Sequence, residues 1–453
     1  MRRISRATIG LPLILLWAQN ASAAPLKDPT STDISALRGE ISQLKITYAT
    51  QIAQLEARLA RAETALASRA VSSSAPATPS ALPTSPVGNA TQRMTNALNP
   101  DVSLVLIGTY AAHSSDPNRY AAPGFALPEE AGPGVRGLSL GESELTLSAN
   151  VDDKFYGAMT AALSVEDGET ALDLEEAYVQ TTALPYGLIF KGGRFFSRIG
   201  YLNEQHAHAD DFVDRPLAYK IFLGGNLGDD GAQLRWLAPL DLLVEFGAEA
   251  YRGDAFPAQG ASDHGVGSYT FFSHLGDDLS DAWSYRVGGS YVHAAADART
   301  TGDLPDFFNG TSELALVDVI FKWAPNGNPV ERNLKLQAEY LRRWESGLFN
   351  ATDYDGTQDG FYLQTVYQFQ RRWRIGARYD RLFADNTGGG VAATVLDTLA
   401  HDPSRVALLL EFDNSEFSRF RLQYNHDDSN RATDHQLFLN YIHSLGAHGA
   451  HQF

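Results

Sequence analysis

The sequence contains no cysteine and, beyond its first 23 residues, no uninterrupted apolar stretch of about twenty residues. The first absence excludes disulfides, and the second excludes a transmembrane helix. Basic residues are also few, since 36 Lys and Arg stand against 54 Asp and Glu, for a formal net charge of −18. Because phosphate binding requires a basic surface, this charge balance argues against nucleic acid as a partner.

The first residues, MRRISRATIGLPLILLWAQNASAA, predict a secretory signal peptide over residues 1–23. Basic residues precede an apolar core from Ile9 to Trp17, and small residues follow up to Ala23. A membrane anchor is the less favoured alternative, because the apolar core is too short to span a bilayer as a helix. An exported chain without disulfides needs another source of stability, and a closed, hydrogen-bonded sheet provides one.

Residues 31–68 have apolar residues at alternating heptad-like spacing, which predicts a short periplasmic coiled coil. The apolar seam drifts after Tyr48, so its oligomer number is unreadable, and a single amphipathic helix lying on another surface is the alternative. Residues 69–98 are rich in Ser, Ala, Pro and Thr and almost uncharged. They are predicted to form a flexible linker.

From residue 99 to residue 453 apolar residues recur at every second position, as in DVSLVLIGTY and DLLVEFGAEAY. This is the period of a strand with one apolar face. The opposite faces are polar and carry Glu144, Thr146, Asn150, Glu245, Glu249, Lys335, Gln337, Glu339, Gln364, Gln368, Arg374 and Arg378. Strands of about ten residues with aromatic residues near their ends, such as Trp283 and Trp373, favour a transmembrane antiparallel β-barrel over a soluble sandwich.

The links between the predicted strands alternate between short and long. Short links include LPYG and FQRRW, and longer ones are predicted near 113–137, 252–266, 294–312, 345–358 and 383–403. With about sixteen strands, this alternation is typical of an outer-membrane barrel surrounded by lipid. The last predicted strand is followed by a terminal aromatic residue, Phe453, of the kind that the outer-membrane assembly machinery reads. We therefore expect a bacterial outer-membrane location.

The stretch NEQHAHADDF lies in the longest predicted link, at about 196–231, after the fifth predicted strand. By this count it belongs to the third outer loop, which in sixteen-stranded porins folds into the lumen. Imidazole and carboxylate groups together suit zinc, which needs three or four donors. The candidate metal ligands are His206, His208, Asp210 and Asp211. The alternative is a solvated polar loop that sets pore selectivity without a defined metal site.

The same histidines resemble the His-x-His-x-Asp-His signature of metallo-β-lactamase-type hydrolases. Here Asp211 stands where the last histidine would be, and the alternating strand and helix pattern of such a fold is missing. We therefore predict that the protein is not an enzyme.

Inward positions on the late strands are basic, whereas the loop is acidic. The predicted pore constriction comprises Glu204, Asp210, Asp211, Asp214, Arg374, Arg378, Arg419 and Arg421. A basic wall facing an acidic loop would produce a transverse field that orients polar solutes. The alternative is that Glu411 and Asp413, on the strand between, pair with the arginines and cancel the field.

The order of signal peptide, coiled coil, linker and barrel resembles the phosphate-selective porin superfamily. The segments LEEAYVQT, GGRFFSRIGYLNEQHAHADDFVDRPL and SLGAHGAHQF look more specifically like a subgroup of proteobacterial outer-membrane proteins described as zinc-regulated porins. The resemblance covers residues 99–453 and implies a homotrimer. The loop departs from a phosphate-selective pattern, since it is mainly acidic, with Arg215 and Lys220 as exceptions.

These observations together predict an outer-membrane porin, a passive diffusion channel for small hydrophilic solutes or ions that favours cations or zinc. No cofactor is predicted, and zinc enters only as a permeant or loop-bound ion. The alternative is a structural or binding barrel that is plugged by its loop and tethers the outer membrane through the coiled coil.

Overall fold

A computed structural model describes residues 100–166, 169–261, 265–301 and 306–446. The predicted signal peptide (1–23), coiled coil (31–68), linker (69–98) and terminal Phe453 lie outside these ranges. Within them, none of the helices has the length and apolar character needed to cross a membrane.

The described residues form one sheet with a single short α-helix, α1 (Leu217–Leu223). The strands are β1 (Asp101–His113), β2 (Gly137–Leu140), β3 (Ser143–Asn150), β4 (Phe155–Glu166), β5 (Glu169–Thr181), β6 (Leu188–Phe196), β7 (Gly228–Leu237), β8 (Leu243–Tyr251), β9 (Ser268–Ser280), β10 (Trp283–Thr301), β11 (Asp306–Trp323), β12 (Asn333–Phe349), β13 (Thr352–Gln370), β14 (Trp373–Thr387), β15 (Ser404–Ser415), β16 (Ser418–Asp428) and β17 (Asp434–Gly446). Short 3-10 turns occupy Pro117–Arg119, Glu129–Ala131, Pro185–Gly187, Ala207–Ala209 and Pro325–Gly327.

The sheet closes on itself through the first and last strands. From β3 onward each strand pairs antiparallel with the next, and β1 pairs with β17 from Ser103 opposite Gly446 to His113 opposite Gln436. Two short segments, β2 and β3, pair with successive parts of β1 and together occupy one strand position. The prediction of a closed sixteen-stranded antiparallel barrel is confirmed. Closure leaves no unpaired sheet edge in the lipid.

The two faces of the wall differ as the alternation predicts. On β15 the outward residues Val406, Leu408 and Leu410 are 40%, 51% and 39% exposed, whereas Arg405 and Glu411 on the inward face are buried. Apolar residues with such exposure all around a barrel form the lipid-facing band of an outer-membrane protein.

Aromatic residues gather at the end of the barrel where the short links lie. The ring centroids of Trp283 and Trp323 are 6.3 Å apart, and those of Trp373 and Phe412 are 4.8 Å apart. The prediction of aromatic residues near strand ends is thus confirmed, and these pairs mark one membrane interface.

The predictions of two long loops are wrong. The regions 294–312 and 345–358 lie mostly in β10 to β13, which run for 17 to 19 residues rather than about ten. The physical reason is that these strands extend beyond the apolar band. In these extensions outward residues such as Asp353 and Asp355 are exposed and polar, whereas inward ones such as Tyr354 are buried, so the apolar outward alternation is lost while the backbone hydrogen bonds continue.

The interior of the barrel holds a second, apolar core. Residues of the 197–227 loop, including every residue of α1 except Lys220, pack against inward side chains of the wall such as Leu314, Leu341 and Leu382. Phe125, from the link 114–136, joins this core, with its ring centroid 6.0 Å from that of Phe222. The lumen is therefore partly filled by chain that enters from the loop end of the barrel.

The lipid-facing band predicts where a charge is not tolerated. Leu439 of β17 is 51% exposed at mid-strand, and Leu399, in the link 388–403, is 50% exposed. Leu439→Arg should lower the free energy of unfolding by about 2–4 kcal/mol, because it places a charge in hydrocarbon. Leu399→Arg should change it little. Denaturant titration of the protein in lipid vesicles measures both, and equal effects would contradict the assignment of the band.

Candidate functional site

The candidate site is the link between β6 and β7, residues 197–227, called the inward loop below. It follows the fifth strand position of the barrel, as predicted. Its helix α1 is buried along its whole length and ends at Gly224, which adopts φ +66. That left-handed conformation suits glycine and reverses the chain towards β7.

Strand β12 anchors the first part of the inward loop through a buried carboxylate, Glu339. The amides of Tyr201 and Leu202 each donate to Glu339 at 3.3 Å, and the Tyr219 hydroxyl donates at 2.8 Å. Tyr362 of β13 donates to it at 2.5 Å. One wall carboxylate thus satisfies several donors of the loop and fixes where it enters the lumen.

Two aspartates attach the middle of the loop to basic residues of the wall. Asp211 lies 2.5 Å from Lys335 Nζ and 3.1 Å from Arg374 Nη2. Burial alone would raise the pKa of Asp211, but the two cations hold it below its ordinary value.

Asp214, three residues further along the chain, makes equivalent contacts. Its two carboxylate oxygens lie 2.8 Å from Arg378 Nη2 and 2.7 Å from Arg405 Nη1. Burial acts to raise the pKa of Asp214, and the guanidinium groups outweigh it, so the carboxylate stays charged. These partly or fully buried pairs are directional contacts that specify one position of the loop.

Two further arginines hold the main chain of the loop. Arg419 donates to the carbonyl oxygens of His208 and Asp210, the latter at 2.9 Å. Arg421 donates to those of Asp210 at 2.8 Å and Phe212 at 3.0 Å. Carbonyl oxygens that would otherwise be buried without partners are thereby satisfied.

The predicted constriction residues therefore meet in direct contact instead of facing each other across an open gap. Asp211 and Asp214 touch the wall arginines, whereas Asp210 pairs with Arg215 of the loop itself at 3.0 Å. Glu204 lies apart and pairs with Arg198 at 2.5 Å.

The sequence leaves open whether the basic wall and acidic loop produce a transverse field or whether acidic wall residues pair with the arginines and cancel it. The geometry favours cancellation by pairing. Glu411 lies 2.7 Å from Arg374 and 3.5 Å from Arg419, as that alternative requires. Charges that pair at these distances cancel most of their field in the remaining lumen.

The histidines of the loop face a different part of the wall, strands β3 and β5. His206 Nδ1 lies 3.1 Å from Glu175 Oε2 and 3.2 Å from Glu144 Oε2, and its Nε2 lies 3.0 Å from Glu176 Oε2. His208 Nδ1 is 2.8 Å from Glu144 Oε1. We call these two histidines and three glutamates the histidine cluster.

A β-bulge in β5 makes this cluster possible. Thr160 of β4 pairs with Glu176, and the next residue, Ala161, pairs with Leu174, so Glu175 is the extra residue. Strict alternation would send one of two consecutive glutamates outward, but a bulge re-aims one side chain. Both Glu175 and Glu176 consequently face the lumen and reach His206.

Carboxylates determine the protonation of His206. Burial acts to lower its pKa, but the adjacent carboxylates of Glu144, Glu175 and Glu176 outweigh burial and hold the pKa well above its ordinary value.

The predicted metal set is divided by the structure. His206 and His208 come together with wall glutamates, and the donor atoms of Glu144, Glu175 and His206 all lie within 4.8 Å of one another. Asp210 and Asp211 point instead to Arg215, Lys335 and Arg374. Aspartates that neutralise buried cations are poorly placed to bind a metal with the histidines.

A cavity of about 560 Å³ remains beside the inward loop. It lies between the loop and the strands β1, β2, β5 and β17, with the link 114–136 on a further side. Its charged lining consists of Glu142, Asp173, Glu175, Asp214, Arg215 and Lys220, and His206 also borders it.

Comparison with known proteins finds a relative by sequence and many solved structures with a similar fold. No family model matches the chain. An uncharacterized protein of Aquifex aeolicus (strain VF5) is 32% identical over 344 residues, which cover 70% of each chain. This chain belongs to the same family as the Aquifex protein.

The solved structures that resemble this chain are outer-membrane porins. An anion-selective porin from Comamonas acidovorans matches with a TM-score of 0.50 at 8% identity, covering 77% of this chain and 99% of its own. The outer membrane channel DcaP of Acinetobacter baumannii has a TM-score of 0.48 at 12% identity, with 76% and 97% covered. At 8% identity the likeness to the Comamonas porin shows the fold alone, that of an outer-membrane β-barrel.

Several site residues could not be found from the loop motif. Lys335, Glu144 and Glu339 appear in the sequence only as inward positions of alternating strands, without a sign of their partners. Arg405 lies on the inward face of β15, where it would have been found by extending the alternation. Glu175 and Glu176 depend on the bulge, which alternation does not indicate.

Release of the inward loop is the expected result of removing its arginine contacts. Arg419→Ala with Arg421→Ala loses hydrogen bonds to charged groups worth roughly 1.5–3 kcal/mol each. Proteinase K cleavage between residues 205 and 214 should therefore accelerate at least tenfold. Arg381→Ala is the matched control, because this β14 arginine pairs with Asp402 at the exposed surface. Unchanged cleavage in the double variant would show that the arginines do not hold the loop.

Proposed function

We propose that the protein is a passive outer-membrane channel whose solutes pass beside the inward loop. The observation that carries this proposal is the asymmetric position of the loop. Its aspartates are attached to the β12 to β15 part of the wall, and the cavity of about 560 Å³ lies beside the loop, against β17, β1, β2 and β5. A polar path inside a closed barrel is what diffusion of small hydrophilic solutes requires.

We further propose that the channel prefers cations. The lining of the cavity has four carboxylates, from Glu142, Asp173, Glu175 and Asp214, against three basic side chains, Arg215, Lys220 and His206. A permeating ion in a narrow polar passage is incompletely screened, so the net sign of nearby charge biases which ions enter. The acidic balance also disfavours phosphate. Membership of the phosphate-selective superfamily or its zinc-regulated subgroup, and the homotrimer that this resemblance implies, stay predictions.

Planar bilayer recordings test the channel directly. We expect steady ohmic steps and a reversal potential of cation-preferring sign in a salt gradient. Asp173→Asn with Glu142→Gln should reduce the cation preference, because both residues line the cavity. Asp241→Asn is the control, since this exposed acidic residue lies in the turn between β7 and β8. An equal shift in the control, or no shift in the double variant, would contradict this path.

The plugged barrel remains the second candidate, and the apolar core inside the lumen favours it. Seventeen buried residues join the inward loop, the link 114–136 and the wall in one cluster. A barrel filled in this way would give no steady current when correctly folded. It would give current after Arg419→Ala with Arg421→Ala, so the same recordings separate the two candidates.

Lys220 should make the selectivity depend on pH. Burial, together with Arg405, lowers the pKa of Lys220 to about 8, and Asp214 and Asp427 oppose this shift. Other groups near the lysine are Arg378 and Tyr120, whose ring centroid lies 5.9 Å from Nζ. As the ammonium loses its proton the lining becomes more negative, so cation preference should rise from about pH 7 to about pH 9.

Reversal potentials of Lys220→Met measure this contribution. The variant should be more cation-preferring than the wild type at about pH 7 and should lose most of the rise towards about pH 9. A rise of full size in Lys220→Met would assign the pH dependence to other groups.

A further inference from the structure

We propose that the histidine cluster is a binding site for one divalent transition metal ion, with Zn²⁺ as the probe. The ligand atoms are His206 Nδ1, Glu144 Oε2 and Glu175 Oε2. These three groups offer donor atoms within 4.8 Å of one another. The inference concerns binding, which does not require that the barrel conducts.

The distances suit a small tetrahedral ion. Zinc binds nitrogen and oxygen ligands at about 2.0–2.2 Å, so neighbouring ligands of one ion lie about 3.3 Å apart. His206 Nδ1 lies 3.1 Å from Glu175 Oε2 and 3.2 Å from Glu144 Oε2. The side chains therefore stand near the separations that a shared ion would impose.

Hydrogen bonding alone leaves the cluster incomplete. A nitrogen such as His206 Nδ1 carries at most one hydrogen, yet two carboxylate oxygens approach it. The side chain of Glu144 is 1% exposed, and its Oε2 accepts no hydrogen bond among the described residues. An ion bound between the three atoms would satisfy this buried oxygen, which a single proton on Nδ1 cannot do for both glutamates.

The remaining contacts would orient the ligands. Glu176 Oε2, at 3.0 Å from His206 Nε2, accepts a hydrogen bond from that nitrogen when Nδ1 is the metal ligand. His208 Nδ1 contacts the second oxygen of Glu144 at 2.8 Å. Carboxylate groups that hold the far nitrogen of a histidine are typical of protein metal sites. Three glutamates also supply the negative charge that a divalent cation neutralises.

The site would be accessible and would couple to the loop. Glu175 and His206 both line the cavity, so an ion can arrive from it and water can supply a fourth ligand. Glu144 and Glu175 belong to the wall strands β3 and β5, whereas His206 belongs to the inward loop. A bound ion would connect the loop to strands β3 and β5, which make none of its arginine contacts.

Isothermal titration of the metal-free, detergent-folded full chain with ZnCl₂ tests the site. We expect one Zn²⁺ per chain at micromolar concentrations or tighter and much weaker binding of Ca²⁺, because imidazole is a poor calcium ligand. His206→Gln and Glu175→Gln should each weaken zinc binding more than tenfold. Heat-modifiable gel mobility would confirm that each variant still forms a closed barrel.

Two controls separate this site from other donors. His293→Gln removes a histidine paired with Glu313 at 3.7 Å on strands remote from the cluster, and zinc affinity should be unchanged. Asp210→Asn tests the loop-only metal set predicted from the sequence, and here too the affinity should change less than twofold. No saturable zinc binding by the folded wild type, or full binding in both His206→Gln and Glu175→Gln, would overturn the proposal.

The experiments test the zinc site and the proposed channel independently. A barrel that binds Zn²⁺ through His206 and Glu175 but carries no current would support this inference and contradict the proposed channel. A barrel that conducts but binds no zinc would do the reverse.

Discussion

The arrangement of the lumen depends on the pairing of one acidic loop with one basic side of the barrel wall. Arg378 and Arg405 would be costly to bury without partners, and Asp214 supplies a carboxylate oxygen to each of them. Arg419 and Arg421 are likewise paired, in their case by donating hydrogen bonds to main-chain carbonyl groups of the loop. The contacts are directional, so they select one position of the loop among the many that a chain of this length could adopt.

The position of the inward loop also determines where the apolar core, the cavity and the histidine cluster lie. Because the inward loop is held against β12 to β16, its apolar helix packs on the wall between those strands and the remaining space lies against β1, β2, β5 and β17. The loop histidines then face strands β3 and β5, where the bulge in β5 presents two glutamates to His206. Cavity and histidine cluster are thus two consequences of the same asymmetry.

The interior also combines two kinds of contact that are usually separate. Porin-like lumens are polar, yet this one includes an apolar core built from α1, Phe125 and inward leucines. Burial of apolar surface holds a segment without prescribing its exact register, whereas ion pairs and carbonyl contacts prescribe it. Together these contacts hold the inward loop in one position inside a polar lumen. The same contacts are compatible with a narrowed channel and with a plugged barrel.

The sequence by itself determined the barrel, because a strand in lipid must alternate and a sheet in lipid must close. It also located the inward loop to within a few residues, since polar links interrupt that alternation. It failed at 294–312 and 345–358, where most outward positions also become polar, so the apolar alternation ends although the strands continue.

Only the tertiary structure decided which charges meet. In the sequence Asp211 and His208 look like members of one metal set, but they turn to different strands of the wall, towards Arg374 on β14 and Glu144 on β3. Spacing along a loop reports which groups are near in the chain. The partners of Asp211 and His208 lie 163 and 64 residues away and are brought near by strand register and one bulge, which local sequence does not encode.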